Sequence, residues 1–390
     1  MTYDFDSIIN RKALGAEKWK GLPDDTISMS IADMDFKIMP EVTEAVKKAA
    51  ENGEFGYVSL NDKDYNAVIQ WVKKRRGVEI NPEHLVGTPG VLYSARTAMY
   101  TLTKPGDKVV VQTPLHTPSI ATASMLGREP VINELIYKDG KYYIDFDHLE
   151  ACFKNGAKVF MLCAPNNPTG RVWTREELET IGEIINKYDG YVVSDEIHQD
   201  IIWDGYKHIS PVDIPSLSER SVAVFSTSKT FNMGGFHVGS AIIPNKDIRD
   251  AFVKRFYSHG HSCNRPSLLC AVAQTAAYSY GEEWYRQMME YVKQNIILAK
   301  QYLSETPIRP NDPEGTFLLW ADIDELKWDA DKLWDVMNNE WKVIGDPGHY
   351  YHTKDYMTYK GPEQHIRFNL AAPRVQVEEA MSRIVSYFKK

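Results

Sequence analysis

The chain predicts an α/β protein: a mostly parallel sheet with helices on both faces, joined to a smaller α+β domain. Three observations carry this. Short apolar runs at 109–111, 159–163 and 222–225 are continuous rather than alternating, the mark of strands buried on both faces. Stretches with helical spacing separate them, as crossovers between parallel strands require. At 390 residues the chain exceeds one simple core, so a second unit is expected.

The elements follow in order. Residues 27–32 alternate as a half-buried strand, then turn at Asp33-Met34-Asp35-Phe36 toward Pro40. Val42, Ala45, Val46 and Ala49 share one face of a helix over 41–52, which stops before Gly53. The loop Phe55-Gly56-Tyr57-Val58-Ser59 carries an aromatic tip and leads to a helix over 62–76. Val86-Gly87-Thr88-Pro89-Gly90-Val91-Leu92 is a glycine-bearing turn that opens a helix. Free N–H groups and a positive dipole end make such a turn an anion seat, although most such turns bind nothing. From residue 109 strands and helices alternate, with a helix over 176–188 and further strands from 191 and over 238–243. Beyond 265 the pattern is helical, with a long helix over 282–303, and late strands stand at 317–320 and 366–370. This tail is expected to form the smaller domain with the N-terminal segment. The expected division is 1–45 for that segment, 46–283 for the large domain and 284–390 for the small C-terminal domain.

Composition narrows the function. A net charge of −8 leaves no basic footprint for nucleic acid or an acidic membrane. No apolar segment approaches the ~18 residues that cross a bilayer. The polar start, Met1 to Asp6, lacks the regions of a signal peptide. Cys152, Cys163, Cys263 and Cys270 have no framework spacing, so reduced thiols in a cytoplasmic protein are expected. His259, His261 and Cys263, with His349 and His352, have ligand types but not two well-spaced pairs, and no metal is expected.

The chemistry gathers at the ends of three successive apolar runs. Ser226-Thr227-Ser228-Lys229-Thr230-Phe231-Asn232 leaves the run at 222–225. A lysine there needs a partner or a covalent role, though alone it also fits a side chain snorkelling out of a turn. Asn167 and Asp195 end the two preceding runs. An amide, a buried acid and a lysine in one crevice suit an aldehyde cofactor with a basic ring nitrogen. The lysine supplies the Schiff base, the acid pairs with the protonated ring, the amide bonds the ring hydroxyl, and the turn at Gly90 seats a phosphate.

Asn166-Asn167-Pro168-Thr169-Gly170, Ser194-Asp195-Glu196-Ile197-His198 and the lysine motif, in this order, resemble the fold-type I pyridoxal 5'-phosphate enzymes, which have an aspartate aminotransferase-like fold. The closer resemblance is to their cystathionine β-lyase-like carbon–sulfur lyases, a subgroup that includes a repressor of maltose genes. Ala32-Asp33-Met34-Asp35-Phe36, Pro313-Glu314-Gly315-Thr316-Phe317 and Arg367-Phe368-Asn369-Leu370-Ala371-Ala372-Pro373 fit the same subgroup, so the resemblance spans nearly the whole chain.

The resemblance implies roles. Lys229 carries the Schiff base, Asp195 pairs with the pyridine nitrogen and Asn167 contacts the ring hydroxyl. The backbone N–H groups of Val91 and Leu92, after Gly90, hold the phosphate with the hydroxyls of Ser226 and Ser228. Tyr57 matches a phosphate ligand from a neighbouring subunit, which implies a homodimer. Arg367 grips the α-carboxylate of an amino-acid substrate by a bidentate pair. Arg374 falls where a second arginine is common, with a surface ion pair as the plainer role. His116 stands where an aromatic ring, commonly Tyr, stacks on the cofactor; an imidazole there can stack, titrate or donate. His237 takes the place of a phosphate-binding arginine of many aminotransferases, which fits the lyases. His198 fits its motif either as a packed structural residue or as a catalytic one. The implied activity is β-elimination of L-cysteine thioethers to a thiol, pyruvate and ammonia. An aminotransferase built from the same residues, and a cofactor-binding regulator of a transcriptional activator, stay open.

Overall fold

The computed structural model describes residues 2–260, 262–353 and 358–390. It opens with β1 (Ile27–Ser28), α1 (Pro40–Glu51) and α2 (Asp62–Arg76). Helix α2 begins in a capping box: Asn61 accepts from the Lys63 backbone N–H, and Asp64 reaches back to the N–H of Asn61. It stops at Gly77, whose φ of +75° is the left-handed cap that glycine adopts without strain.

Then come β2 (Leu85–Thr88), α3 (Val91–Leu102), β3 (Lys108–Thr113), α4 (Thr117–Met125) and β4 (Glu129–Glu134). A hairpin of β5 (Ile136–Lys138) and β6 (Lys141–Tyr143) precedes α5 (Phe146–Lys154), β7 (Ala157–Cys163), α6 (Arg175–Lys187) and β8 (Tyr191–Asp195). Strand β9 (Ser221–Phe225), the single turn α7 (Thr227–Thr230) and β10 (Gly239–Ile242) complete the central sheet. Helices α8 (Lys246–Ser258), α9 (Leu268–Tyr280) and α10 (Glu282–Leu303) lead to β11 (Arg309–Pro310), β12 (Leu318–Asp322), α11 (Ala330–Asp335), β13 (Val343–Ile344), β14 (Asp346–Pro347), β15 (His365–Asn369) and α12 (Arg374–Phe388).

The central sheet has the order β2-β10-β9-β8-β7-β3-β4. Its continuous apolar runs divide their side chains between two cores. Val109, Val111, Val159, Met161 and Cys163 pack with α3, α4 and α8 on one face, and Val110, Phe160 and Leu162 pack with α5 and α6 on the other. Each such side chain is worth about 1.5–3 kcal/mol of apolar burial, which is why no polar residue interrupts these runs. Strand β10 pairs antiparallel with both β9 and β2. The short link from β9 to β10 carries the lysine motif in place of a crossover helix, so the chain returns beside the strand it left.

A second sheet, β11-β12-β15-β14, joins the C-terminal elements. Strand β1 pairs in parallel with β13. The strand expected over 27–32 is cut to Ile27 and Ser28: Met29 donates to the Ile344 carbonyl and accepts from the Asn369 N–H, and the carbonyls of Ser30, Ile31 and Ala32 accept from the side chains of Arg367, Asn369 and Lys229. Asn232 Oδ1 accepts from the Met34 N–H at 3.1 Å, and its Nδ2 donates to the carbonyls of Met34 and Phe36 at 3.0 and 2.8 Å. Among the described residues no helix is long and apolar enough to cross a membrane, and no three His, Cys, Asp or Glu side chains are arranged to hold a metal. His261, one of the candidate ligands, lies outside the described residues.

Candidate active site

Strands β7, β8 and β9 are adjacent and in register, Cys163 opposite Asp195 and Asp195 opposite Val224. Their C-terminal ends therefore deliver Asn167, Asp195 and Lys229 to one place. A cavity of about 1020 Å³ opens there, lined also by Gly90, Val91, Leu92, His116, His198, Ser228, His237 and Arg367. Ligands gather at this end of open α/β sheets.

Lys229 is held over the cavity by donating from Nζ to the carbonyl of Ala32 at 2.5 Å. Burial pushes its ammonium down to about 8, and the Arg367 and Lys18 cations add to this against the pull of Asp33 and Asp195. An amine that deprotonates near neutrality is a usable nucleophile. Asp33 and Asp35, in the strap that carries Ala32, are pinned in turn. Asp35 accepts from Arg11, Lys18 and Trp19 at 2.8, 2.6 and 3.0 Å, and Arg11 also pairs with Asp33.

Asp195 accepts one backbone N–H, that of Ile197, at 3.1 Å. Burial raises its carboxyl to about 6, with Glu196 adding and Ile197 and Lys229 opposing. Asn167 Oδ1 accepts from Arg367 Nη1 at 2.8 Å. Since a guanidinium only donates, the amide nitrogen of Asn167 faces the other way as a donor.

His116 caps the start of α4 and lines the same cavity. Burial, with Arg367 and Lys229 nearby, lowers its ring to about 3, so it is a neutral imidazole at ordinary pH. Of the three options the sequence allows, titration drops out. His198 is buried with neither ring nitrogen hydrogen-bonded, and Phe317 meets it edge-on at 5.7 Å. Two orphaned buried nitrogens are costly unless a ligand or water reaches them.

Gly90 has φ +135° and leaves α3 without a side-chain cap, so the first N–H groups of the helix face the cavity. A Cβ on the neighbouring Gly239 would come within 3.2 Å of Gly90 Cα and 3.0 Å of the Phe225 carbonyl, so glycine there lets β10 pass under this turn. Ser228 lines the cavity, whereas Ser226 does not. The Ser226 hydroxyl donates to the carbonyl of Val238 at 2.5 Å and lies 2.7 Å from that of Ser228. His237 is exposed at the cavity edge with φ +46°. Tyr57 is fully exposed and does not line the cavity of its own chain.

Arg367 is the most heavily engaged group. Its Nη2 donates to the Ser30 carbonyl at 2.9 Å and to Asp346, its plane lies 5.1 Å from the Tyr351 ring centre, and Nε has no partner. Tyr351 donates to Asp346 at 2.8 Å. Arg374 forms no ion pair among the described residues, a correction to its plainer expected role. It packs on the Tyr291 ring at 4.6 Å and donates to Asn295 and to the Tyr291 carbonyl. It also lies away from the cavity. Sequence reasoning missed Asp346, Tyr351 and Cys163. Of these only Cys163 carried a signal, since it ends a strand beside Asp195. Burial and Asp195 push its thiol well up, so it is an inert neighbour of the acid.

The chain is similar to known proteins over nearly its whole length. The chain is 33% identical to the cystathionine β-lyase PatB of Bacillus subtilis strain 168, over 98% of each chain. It is 28% identical to the protein MalY of Escherichia coli K12, again over 98% of each. Cystalysin from Treponema denticola, solved with pyridoxal 5'-phosphate, superposes with a TM-score of 0.94 at 31% identity, covering 100% of this chain and 99% of that one. A family model of the class I and II aminotransferases matches residues 24–384, and the chain belongs to that family.

Proposed function

We propose that the protein is a pyridoxal 5'-phosphate-dependent carbon–sulfur β-lyase that releases a thiol, pyruvate and ammonia from L-cysteine thioethers such as cystathionine. The observation that carries the reading is the convergence of Lys229, Asp195 and Asn167 on one cavity with Arg367. Pyridoxal phosphate, when bound, supplies an aldehyde that captures amines and a ring that withdraws electrons from the substrate Cα. The residues fit it. Asp195 is a buried carboxylate with one N–H donor and no ion pair among the described residues, a state that a cationic ring nitrogen relieves. The uncapped N–H groups of Val91 and Leu92, beside the Ser228 hydroxyl, suit a phosphate. His116 presents a neutral ring, His198 two unmet nitrogens.

On this reading Lys229 would hold the cofactor covalently, and its Nζ, when free, would take the substrate Cα proton and pass a proton to the departing sulfur. Asn167 donates to the ring oxygen while orienting Arg367. Arg367 grips the α-carboxylate, and to do so bidentately it exchanges a bond now made to Asp346 or Ser30. Tyr57, exposed in the single chain, supports a homodimer in which it serves the neighbouring site. The β1–β13 pairing supports grouping residues 1–45 with 284–390 against a large domain of 46–283. Four free cysteines are in keeping with a cytoplasmic location.

The test is pyruvate release from cystathionine with no added keto acid, and its loss in Lys229→Ala. Amino-group transfer that depends on a keto acid, without pyruvate from cystathionine, would instead favour the aminotransferase reading, whose residue requirements are the same.

A further inference from the structure

One buried acid beside the site has no part in the chemistry described so far. Asp200 closes the turn that follows Asp195, in which Gln199 donates to the Glu196 carbonyl and Ile201 to that of His198, both at 2.9 Å. Its side chain is buried and forms no ion pair among the described residues. Burial raises the carboxyl above its ordinary value, against the Thr230 hydroxyl and the Arg75 cation. A carboxylate kept in that state costs stability, which makes the contact it holds informative. Thr230 donates from Oγ1 to Asp200 Oδ2 at 2.7 Å. Thr230 is buried as well, and it directly follows Lys229.

The place of this bond gives it meaning. Helix α7, which carries Lys229, is a single turn and too short to hold itself. The residues that follow the lysine fasten it. Phe231 packs on Trp71 at 5.1 Å in the aromatic core, and Asn232 bonds the strap at Met34 and Phe36. Thr230 fastens it to the turn that follows Asp195 and carries His198. That turn is anchored in its own right, since Tyr285 on α10 donates to the Asp200 carbonyl at 2.6 Å. The hydroxyl–carboxylate bond therefore couples the backbone at Lys229 to the backbone after Asp195. It lets Nζ leave the Ala32 carbonyl for another partner while the rest of the lysine stays in place.

We propose that Asp200 is a positioning residue for Lys229, holding α7 through Thr230 so that Nζ meets the cofactor aldehyde and the substrate Cα from one fixed place. The proposal rests on Lys229 as the covalent anchor, which the lyase and aminotransferase readings share. Neither Asp200 nor Thr230 lines the cavity, so a loosened turn leaves the groups that bind substrate intact. The lysine alone loses its alignment. A misaligned nucleophile slows the reaction and leaves binding unchanged.

The test measures covalent capture of pyridoxal 5'-phosphate by the cofactor-free protein, through absorbance and borohydride trapping, beside pyruvate release by the holoenzyme. Thr230→Val should slow capture and lower kcat, each about tenfold, with KM held within about twofold. Thr230→Ser keeps the hydroxyl and should recover both rates. Asp200→Ala should match Thr230→Val. The double variant Asp200→Leu with Thr230→Val should be no slower than either, because all three lose the same bond. It also leaves no unpaired buried carboxylate, so it serves if a single variant does not fold. Capture and kcat unchanged in the folded Thr230→Val or double variant overturn the clamp. So does slowing that adds up in the double variant, which would give each residue a separate role, and so does a rise in KM alone. No pyruvate from cystathionine in the wild type ends the lyase reading, while slower capture in Thr230→Val still upholds the clamp.

Discussion

Lys229 shows how a single residue can be tuned at the expense of the fold. Its ordinary value of 10.5 falls to about 8 because burial disfavours the ammonium more than Asp33 and Asp195 support it. Between those two values the folded chain binds fewer protons than the unfolded one, so this group makes stability rise with pH across that window. Below pH 8 the destabilisation is present in full. Lys229→Met should therefore stabilise the cofactor-free protein at pH 7, by up to roughly 3 kcal/mol, in urea unfolding. The gain should shrink from pH 8 to 10.5. Asp195 acts oppositely: its raised value lets the folded state bind more protons between 3.8 and about 6, and stability falls as pH rises through that range. A methionine variant no more stable than the wild type, or a gain that ignores pH, would show that Lys229 is not strained.

This residue and its two companions were legible in the sequence for a physical reason. Strands buried on both faces read as apolar runs, and a polar residue just past such a run has only the sheet end to go to. Asp346 and Tyr351 had no such marker. Asp346 stands 21 residues before the arginine it pairs with, and only the pairing of two strands brings them together.

At the scale of elements, the pairing of β14 with β15 sets Asp346 directly opposite Arg367. The loop after β14 is tied to the central sheet as well: the Tyr351 carbonyl accepts from the Leu115 N–H at 2.8 Å, and Thr117 bonds to the Tyr350 carbonyl. One segment thus connects the small sheet, Arg367 and the start of α4. Removing one partner of a buried pair leaves an uncompensated charge, a loss of about 3 kcal/mol. Asp346→Ala should lose about that much in urea unfolding of the cofactor-free protein. The double variant Asp346→Ala with Arg367→Met should recover part of it. A single variant as stable as the wild type would mean that water already screens the pair. The antiparallel course of β10 was not legible at this scale, since a run of apolar residues carries no direction. Nor was the early end of β1, where the side chains of Arg367, Asn369 and Lys229 take the carbonyls of Ser30, Ile31 and Ala32 that a longer strand would use.

At the scale of the whole molecule, the site as it stands in one chain lacks the phosphate ligand that Tyr57 was expected to be, because Tyr57 points wholly into solvent. An aromatic side chain left fully exposed on a loop, with Phe55 two residues before it also exposed, is a surface that a second copy can cover. If each subunit lends its Tyr57 to the other, a defect in Tyr57 and a defect in Lys229 fall in different sites when they come from different chains. Mixing Tyr57→Ala and Lys229→Ala chains, unfolding and refolding them together, gives half mixed dimers, each with one intact site. Pyruvate release at limiting cofactor should then reach about a quarter of the wild-type value, above either parent alone. With Tyr57 acting within its own chain, every site that keeps Lys229 would also lack the tyrosine. The mixture would then give no more than half the residual activity of Tyr57→Ala, and the shared site would be ruled out.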